Sequence, residues 1–272
     1  MTRTLPTTAL IGFGEAASSF ARAGGWGDRA IGWDILPRRR AAMSEDGVKA
    51  ARAAPEAIVG ADIVLGLVTA DAALSAARDY GPSIDPGQIW CDMNSVSPDT
   101  KRLAAQAIRE SGGRYVDVAI MAPVLPGRLA VPLLISGPAA EEADRLLREL
   151  GFGNTRVVGS EIGRASAIKM IRSVMVKGIE ALTGEMMAAA EAAGVAEEVL
   201  ASLEASERAM PWPERAAYNR ERMAVHGARR AAEMAESAAT LRALGVEPVM
   251  TEGTVRRQRE AARPSPPSKD AA

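Results

Sequence analysis

Short apolar runs alternate with amphipathic stretches through the first 160 residues. Several of these runs are apolar on both faces, which is typical of strands covered by helices on each side. Predicted strands lie at residues 7–12, 30–34, 62–68, 88–92, 114–119, 131–136 and 155–158, with a weaker one near Val48. The helical stretch at 98–111 has Ser97 as N-cap and Pro98 at its first helical position. The alternation predicts an α/β fold with a parallel sheet.

After Ser160 the pattern becomes entirely helical. Residues 161–193 carry apolar side chains at helical spacing and predict one long helix. Shorter helices are predicted at 196–208, 213–223, 226–244 and 251–262, and residues 210–213 interrupt the pattern with two prolines. We therefore expect an α/β domain over 1–160, an all-α domain over 161–263 that opens with the long helix, and a disordered proline-rich tail over 264–272.

The composition narrows the classes of protein to consider. The chain has 272 residues and a formal net charge of −1, so no overall field favours nucleic acid or an anionic membrane. No apolar run approaches the roughly 20 residues of a membrane helix, and the N-terminus lacks a signal-peptide layout. The single cysteine, Cys91, excludes an intrachain disulfide, and no His/Cys spacing suggests a metal site. We expect a cytoplasmic protein without metal, membrane or nucleic-acid partners.

A glycine-rich loop follows the first predicted strand. Gly12, Gly14 and Ala17 have the G-x-G-x-x-A order of a dinucleotide-binding turn and open a predicted helix. Asp34 ends the next strand, where a carboxylate binds the adenosine ribose. The two features predict a Rossmann-type domain. The residues expected to bind the cofactor are Gly12, Phe13, Gly14, Glu15, Ala16, Asp34, Arg38, Val68, Thr69, Ala70, Asn94 and Ser95.

Charged residues near this loop bear on which dinucleotide binds. Asp34 favours NAD, because its carboxylate would repel the 2′-phosphate of NADP. The arginine run at 38–40 could hold such a phosphate, so NADP stays open. Glu15 lies in the first turn of the predicted helix, where a carboxylate interacts well with the helix dipole. Because backbone N–H groups hold the phosphates, we expect the Glu15 side chain to turn away from them.

The order of four segments resembles the β-hydroxyacid dehydrogenases, a family that includes 3-hydroxyisobutyrate and phosphogluconate dehydrogenases. The segments are the glycine loop, DMNSVSP at 92–98, YVDVAIMAPV at 115–124 and GRASAIKMIRS at 163–173. The run VHGARRAAEMAESAATLRALGVEP at 225–248 is similar to a phosphogluconate-dehydrogenase-like branch with its own C-terminal domain. The resemblance implies NAD(P)-dependent hydride transfer between nicotinamide and a hydroxy acid or related alcohol, in a homodimer.

The same resemblance assigns catalytic and substrate-binding residues. Lys169 would be the general acid/base, and Ser173, four residues later on the same helical face, replaces the family's asparagine. Residues 121–123 stand where the family commonly has Ser-Gly-Gly to hold a substrate carboxylate, so we expect a more apolar pocket and a larger substrate. The expected substrate-binding residues are Asn94, Ser95, Met121, Ala122, Pro123, Ser173 and His226.

Three points stay open at this level. An imine reductase shares the fold, although such relatives generally replace the catalytic lysine. A non-catalytic nucleotide-binding or scaffold protein would explain the altered residues 121–123 and Ser173. His226, with Arg230 and Glu233 on one helical face, either contacts substrate or belongs to a solvated helix.

The long helix is apolar over most of its circumference, which predicts a homodimer.

Overall fold

An eight-stranded sheet forms the centre of the first unit of the chain. The computed structural model describes residues 6–207 and 209–262. Its strands are β1 (Thr8–Ile11), β2 (Ala30–Trp33), β3 (Lys49–Ala50), β4 (Ile63–Gly66), β5 (Ile89–Asp92), β6 (Arg114–Ile120), β7 (Leu133–Ser136) and β8 (Thr155–Gly159). The order is β3-β2-β1-β4-β5-β6-β7-β8. β1 and β4 are adjacent at the point where the strand order reverses, which is where such sheets bind ligands. The predicted Rossmann-type fold is confirmed.

One strand departs from the predicted parallel arrangement. β7 runs antiparallel to β6, with Asp117 opposite Ser136, and parallel to β8. The chain between β6 and β7 forms only two short helical segments, Val124–Gly127 and Arg128–Ala130. A parallel connection needs a crossover element that packs across the sheet, and these turns are too short for that.

Helices cover both faces of the sheet, and alternate strand residues point into two apolar cores. Leu10 packs with Phe20 and Leu147 on one face, whereas Ile11 packs with Ile58 and Ile108 on the other. The helices are α1 (Glu15–Gly24), α2 (Pro37–Ala42), α3 (Ala54–Ile58), α4 (Ala73–Tyr80), α5 (Pro98–Glu110), α6 (Val124–Gly127), α7 (Ala140–Glu149), α8 (Arg164–Ala193), α9 (Ala196–Ser206), α10 (Trp212–Ala243) and α11 (Val249–Ala261). The predicted cap of α5 is confirmed, because Ser97 Oγ accepts a hydrogen bond from the Thr100 N–H at 3.2 Å.

The chain divides into two compact units, residues 1–172 and 173–272, with the division inside α8. From Arg164 to residue 262, the described residues form helices and their connections. The domain boundary predicted near 160 stays a prediction, and the predicted disordered tail at 264–272 lies outside the described residues. Over the described ranges, no helix is both long enough and apolar enough to cross a membrane.

Residues 213–243 of the second unit belong to one helix, whereas the sequence pattern predicted two. α10 runs without interruption from Trp212 to Ala243, so the predicted division between 223 and 226 is wrong. Gly227 lies within it and packs against α11, where a Cβ atom would meet the Gln258 carbonyl oxygen at 2.3 Å. This glycine allows close packing of two helices and does not end one. Glu185 of α8 accepts hydrogen bonds from the N–H groups of Met250 and Thr251, which caps α11.

Candidate functional site

Gly12 closes the turn between β1 and α1. Its φ is +89°, and a Cβ atom there would lie 2.6 Å from the Leu67 carbonyl oxygen. Its N–H donates to the Trp33 carbonyl at 2.8 Å, which joins the turn to β2. The left-handed backbone and the close approach of Leu67, directly after β4, both require glycine here, so Gly12 serves the fold whether or not a ligand binds.

Gly14 occupies a different environment at the start of α1. Its φ of −87° suits any residue, and apart from its two chain neighbours no described residue has an atom within 4 Å of where its Cβ would be. Nothing in the fold therefore requires glycine at this position. The missing side chain leaves the N-terminus of a ten-residue helix accessible, and such a terminus binds phosphate through its N–H groups.

Asp34 connects the glycine loop to the end of β2. Its Oδ2 atom accepts a hydrogen bond from the Phe13 N–H and its Oδ1 atom accepts one from the Leu36 N–H, each at 2.8 Å. A carboxylate has about four lone-pair positions, so both oxygens can still accept a hydroxyl proton. The side chain thus orders the loop and also presents negative charge to the space beside it.

The arginines that follow Asp34 differ in their surroundings. Arg40 donates to the Asp34 carbonyl at 2.6 Å, and its guanidinium lies 4.7 Å from the centre of the Trp33 ring. These contacts occupy Arg40 in holding the backbone of the loop. Arg39 lines the cleft beside Asp34, whereas Arg38, which we predicted to bind the cofactor, is exposed and is not among the residues lining it.

A cleft of about 530 Å³ lies between the glycine loop, the end of β2 and the segment after β4. Of the predicted cofactor residues, its walls include Gly12, Gly14, Glu15, Ala16, Asp34, Val68 and Thr69. Phe13 is buried in the core below the loop, and Ala70 is exposed away from these walls. Glu15 is exposed on the wall, and the direction of its side chain relative to a bound phosphate stays a prediction.

Asn94 and Ser95 follow the carboxyl end of β5, where Ser95 contacts Lys169. The Asn94 side chain is buried, and its Oδ1 atom has no hydrogen-bond partner among the described residues. Ser95 is exposed, and its Oγ atom accepts a hydrogen bond of 2.5 Å from the Lys169 Nζ atom. Buried polar atoms are nearly always satisfied, so the orphan acceptor of Asn94 fits a donor supplied by a ligand.

A buried charged cluster lies directly beneath this edge of the sheet. The Lys101 side chain is 0% exposed, and its Nζ atom contacts Asp92 Oδ1 at 2.9 Å and Asp117 Oδ1 at 3.3 Å. Tyr115 donates its hydroxyl to Asp92 Oδ2 at 2.6 Å. Burial, and then the nearby Asp92 carboxylate, raise the pKa of Tyr115 well above its ordinary value, so the hydroxyl stays protonated.

Sequence reasoning missed this cluster, although the sequence carries a signal for it. Asp92 ends an apolar strand and Asp117 lies within the apolar run YVDVAI. Carboxylates are almost never fully buried without a partner, so both positions indicate a nearby cation or several hydrogen-bond donors. Their partner, Lys101, lies on α5, a helix for which the sequence pattern predicted no functional residue.

Residues 121–123 form the start of the connection from β6 to β7. Met121 is half-buried and packs against a small apolar cluster of Ala119, Leu134 and Ala165. Ala122 and Pro123 are exposed, and Pro123 precedes the α6 turn. This segment thus presents apolar side chains, not the hydroxyl and glycine amides of the family pattern.

The remaining predicted substrate residues belong to the second unit. Ser173 is half-buried on α8, and His226 is exposed on α10. Further along α10, Arg229 and Glu233 form an ion pair. The substrate roles of Ser173 and His226 stay predictions.

The residues of the first unit fit a nicotinamide dinucleotide. The open N-terminus of α1 at Gly14 would hold the pyrophosphate, Asp34 would hold the adenosine ribose, and the unpartnered Asn94 Oδ1 would accept from the nicotinamide half. Across residues 6–207 and 209–262, no group of three or more His, Cys, Asp or Glu side chains could hold a metal ion.

Two family models match the chain. The NAD binding domain of 6-phosphogluconate dehydrogenase matches residues 7–141, and the domain of unknown function DUF1932 matches residues 190–261. The first covers the glycine loop, Asp34 and Asn94. The second lies within the second unit.

Two solved structures with at least 33% sequence identity cover nearly the whole chain. A conserved hypothetical protein of Sinorhizobium meliloti is 37% identical, with a TM-score of 0.64, over 100% of this chain and 92% of that one. A conserved protein of unknown function, described as structurally similar to 3-hydroxyacid dehydrogenases, is 33% identical with a TM-score of 0.62, over 93% of this chain and 96% of its own.

Other matches are more distant or shorter. An imine reductase variant from Myxococcus stipitatus in complex with NAD+ is 23% identical with a TM-score of 0.76, over 94% and 93% of the two chains, which shows a shared fold. Another structure of the imine reductase from that organism holds NADP+. An uncharacterized 28.5 kDa protein of Methanothermus fervidus is 32% identical over 161 residues, which are 59% of this chain and 61% of that protein. The chain thus spans less than two thirds of this curated relative. It spans 32% of the cytokine-like nuclear factor N-PAC of Xenopus tropicalis.

These matches agree with the motif order found in the sequence. Residues 7–141 form an NAD-binding domain of the kind found in 6-phosphogluconate dehydrogenase, and either nicotinamide cofactor is compatible with the matches. The chain belongs to the β-hydroxyacid dehydrogenase-like family, in the branch that joins this NAD-binding domain to a DUF1932 domain.

Proposed function

We propose that the protein is an NAD(P)-dependent oxidoreductase that transfers a hydride between nicotinamide and a hydroxy acid or related alcohol. The observation that carries the proposal is the hydrogen bond between Lys169 Nζ and Ser95 Oγ, next to the orphan acceptor of Asn94. It brings a titratable amine to the carboxyl end of β5, in the same unit as the glycine loop. A general acid/base needs such a position, within hydrogen-bond reach of the substrate hydroxyl.

In this mechanism Lys169 carries the proton. The bound nicotinamide supplies the acceptor or donor for the hydride. During oxidation the Lys169 amine takes the proton of the substrate hydroxyl as the C–H bond breaks and its electron pair leaves with the hydride. During reduction the ammonium returns that proton to the oxygen. Ser95 Oγ holds the amine in place and, being exposed, is also accessible to the substrate oxygen.

The substrate of this proposal is more apolar than a small 3-hydroxy acid. Residues 121–123 offer an apolar methionine and a proline without an N–H group where the family pattern has carboxylate-binding groups. Arg172 of α8 donates to the Met121 carbonyl at 3.4 Å. A larger alcohol or hydroxy acid with an apolar portion fits these side chains best.

A substrate screen tests the proposal. The purified protein would be supplied with NAD+ or NADP+ and a panel of hydroxy acids and alcohols of increasing apolar size, and formation of the reduced cofactor would be followed. The reverse panel would contain ketones, aldehydes and cyclic imines. Oxidation of a hydroxylated substrate supports the proposal. Reduction of imines alone would assign the imine reductase alternative, and cofactor binding without turnover would favour a non-catalytic role.

We expect NADH to bind at least about tenfold more tightly than NADPH. A 2′-phosphate would lie near the Asp34 carboxylate, and opposed like charges cost several kcal/mol. Arg40 is already occupied by the Asp34 carbonyl and the Trp33 ring. Titration of cofactor fluorescence would measure both affinities. In Asp34→Asn the ratio should fall towards one, whereas Arg38→Ala, at an exposed position outside the cleft, should leave it unchanged.

We also propose a homodimer formed through the second unit. Val174, Ile179 and Leu182 of α8 are 77%, 49% and 45% exposed. Exposed apolar side chains at this density on one helix are typical of an interaction surface. Sedimentation at micromolar concentration should therefore give the mass of two chains. Val174→Glu together with Ile179→Glu should give one chain, whereas Ala201→Glu together with Ala205→Glu, at exposed positions of α9, should leave the dimer intact.

A further inference from the structure

Lys101 contacts two carboxylates that come from different strands. Its Nζ atom donates to Asp92 Oδ1 at 2.9 Å and to the Asp92 carbonyl at 2.6 Å, and it lies 3.3 Å from Asp117 Oδ1. Asp92 ends β5 and Asp117 lies in β6. All three side chains are at most 1% exposed. The contacts are charge-assisted and directional, and they lie in surroundings that screen them little.

Asp92 joins this ammonium to the loop that carries Asn94 and Ser95. Its Oδ1 atom accepts a hydrogen bond from the Asn94 N–H at 2.8 Å, and its Oδ2 atom accepts one from the Tyr115 hydroxyl. The carboxylate therefore determines where the chain turns after β5. The next residue is Ser95, the partner of Lys169.

Asp117 joins the same ammonium to the first turn of α8. Its Oδ2 atom accepts a hydrogen bond from the Ser166 N–H at 2.9 Å, and its Oδ1 atom accepts one from the Ser166 hydroxyl at 2.7 Å. Ser136 donates to the same carboxylate at 3.3 Å and accepts a hydrogen bond from the Ala165 N–H at 3.0 Å. Lys169 follows Ser166 by three residues, less than one helical turn.

We propose that Lys101 is a positioning residue that sets Lys169 against Ser95. One buried ammonium contacts both Asp92, which holds the loop after β5, and Asp117, which holds the start of α8. The loop and the helix therefore cannot shift relative to each other without breaking a contact to Lys101. The proposal rests on the role given above to Lys169 and adds the contacts of Lys101 that keep the Lys169 amine beside Ser95. An ion pair that only stabilises the core would have no such effect on Lys169.

Milder changes than removal of Lys101 test this arrangement. Lys101→Met would leave two buried carboxylates without a countercharge, and such a chain is expected not to fold. Tyr115→Phe instead removes one donor from Asp92, and Ser166→Ala removes one donor from Asp117. Alanine is also the better helix former, so α8 keeps its backbone. Two variants serve as controls: Ile108→Val, in the core on the same helix as Lys101, and Arg164→Ala, exposed in the first turn of α8.

The readout is the NMR signal of the lysine side chains labelled at the ε carbon. The chain has five lysines, Lys49, Lys101, Lys169, Lys177 and Lys269. Substitution of the other four assigns their signals, and the remaining signal belongs to Lys101. We expect the Lys169 signal to move in both Tyr115→Phe and Ser166→Ala, while those of Lys49 and Lys177 stay in place. Neither control should move it. Once a substrate is known, kcat of Ser166→Ala should fall by up to about 10²-fold, with NADH affinity unchanged.

The outcomes separate this proposal from the proposed function. A Lys169 signal that stays in place in both test variants while that of Lys101 moves would reduce the cluster to a core ion pair. A shift in Ser166→Ala alone would show a local effect along α8 and would also overturn the bridging role of Lys101. A shift in both variants of a protein that oxidises no substrate supports the positioning role and counts against the proposed reaction.

Discussion

Lys169→Ala is expected to lower kcat for oxidation of a hydroxylated substrate by about 10²- to 10⁴-fold. In the proposed mechanism the variant loses the amine that takes the hydroxyl proton and that donates to Ser95 Oγ. Cofactor affinity should stay close to that of the wild type, because the glycine loop and Asp34 are untouched. Steady-state kinetics and titration of NADH fluorescence measure the two quantities separately.

Lys177 provides the matched control for this substitution. It lies eight residues further along α8 and is exposed, so Lys177→Ala changes the charge of the same helix without touching Ser95. Its kcat should equal that of the wild type. Wild-type turnover in Lys169→Ala would exclude Lys169 as the general acid/base, and equal losses in both variants would point to a property of the helix.

Gly14→Ala is expected to weaken NADH binding roughly 10- to 100-fold with little loss of stability. A Cβ atom at this position would stand where the phosphates approach the N-terminus of α1, and loss of one hydrogen bond to a charged group costs about 1.5–3 kcal/mol. The apo protein has open space at this position and an ordinary φ of −87°. The change at the helix N-cap itself should cost no more than a few tenths of a kcal/mol to about 1 kcal/mol.

Two further glycines give this prediction its controls. Gly12→Ala should destabilise the protein by more than about 1–2 kcal/mol, because this position has a left-handed φ and its Cβ would meet the Leu67 carbonyl after β4. Gly153→Ala, also at a position with open space around it, should change neither stability nor cofactor affinity. Urea unfolding and NADH titration of all three variants separate the demands of the fold from those of the ligand. Unchanged NADH affinity in Gly14→Ala would mean that the phosphates bind elsewhere.

Several elements of the site were accessible to sequence reasoning because their signals are local. The turn at Gly12 and Gly14 lies within three residues, and Ser97 caps its own helix. Asp34 ends a strand that the apolar pattern had already indicated. In each of these cases the residue and the structure it specifies are neighbours along the chain, so a short pattern contains the physical cause.

Other features depend on pairs of residues far apart in sequence. Arg38 and Arg39 are equivalent in the sequence pattern, yet only Arg39 lines the cleft, because the start of α2 fixes which side chain faces it. The continuity of α10 became evident only in the folded chain, where α11 packs across Gly227. The direction of β7 likewise depends on the shape of a connection that has no periodicity of its own.

The sequence by itself determined the Rossmann-type architecture and the turn at Gly12 and Gly14, since periodicity and short motifs encode these within a few residues. Lys169 was predicted from the resemblance of residues 163–173 to a family motif, and its role stays a proposal. Only the tertiary structure decided that β7 is antiparallel, that α10 is a single helix and that Lys101 joins two carboxylates. Ser166 lies 49 residues from Asp117 along the chain and 2.7 Å from it in space. Such contacts form when strands and helices pack together, and because no local pattern specifies the partner, the cluster that supports Lys169 becomes visible only in the folded chain.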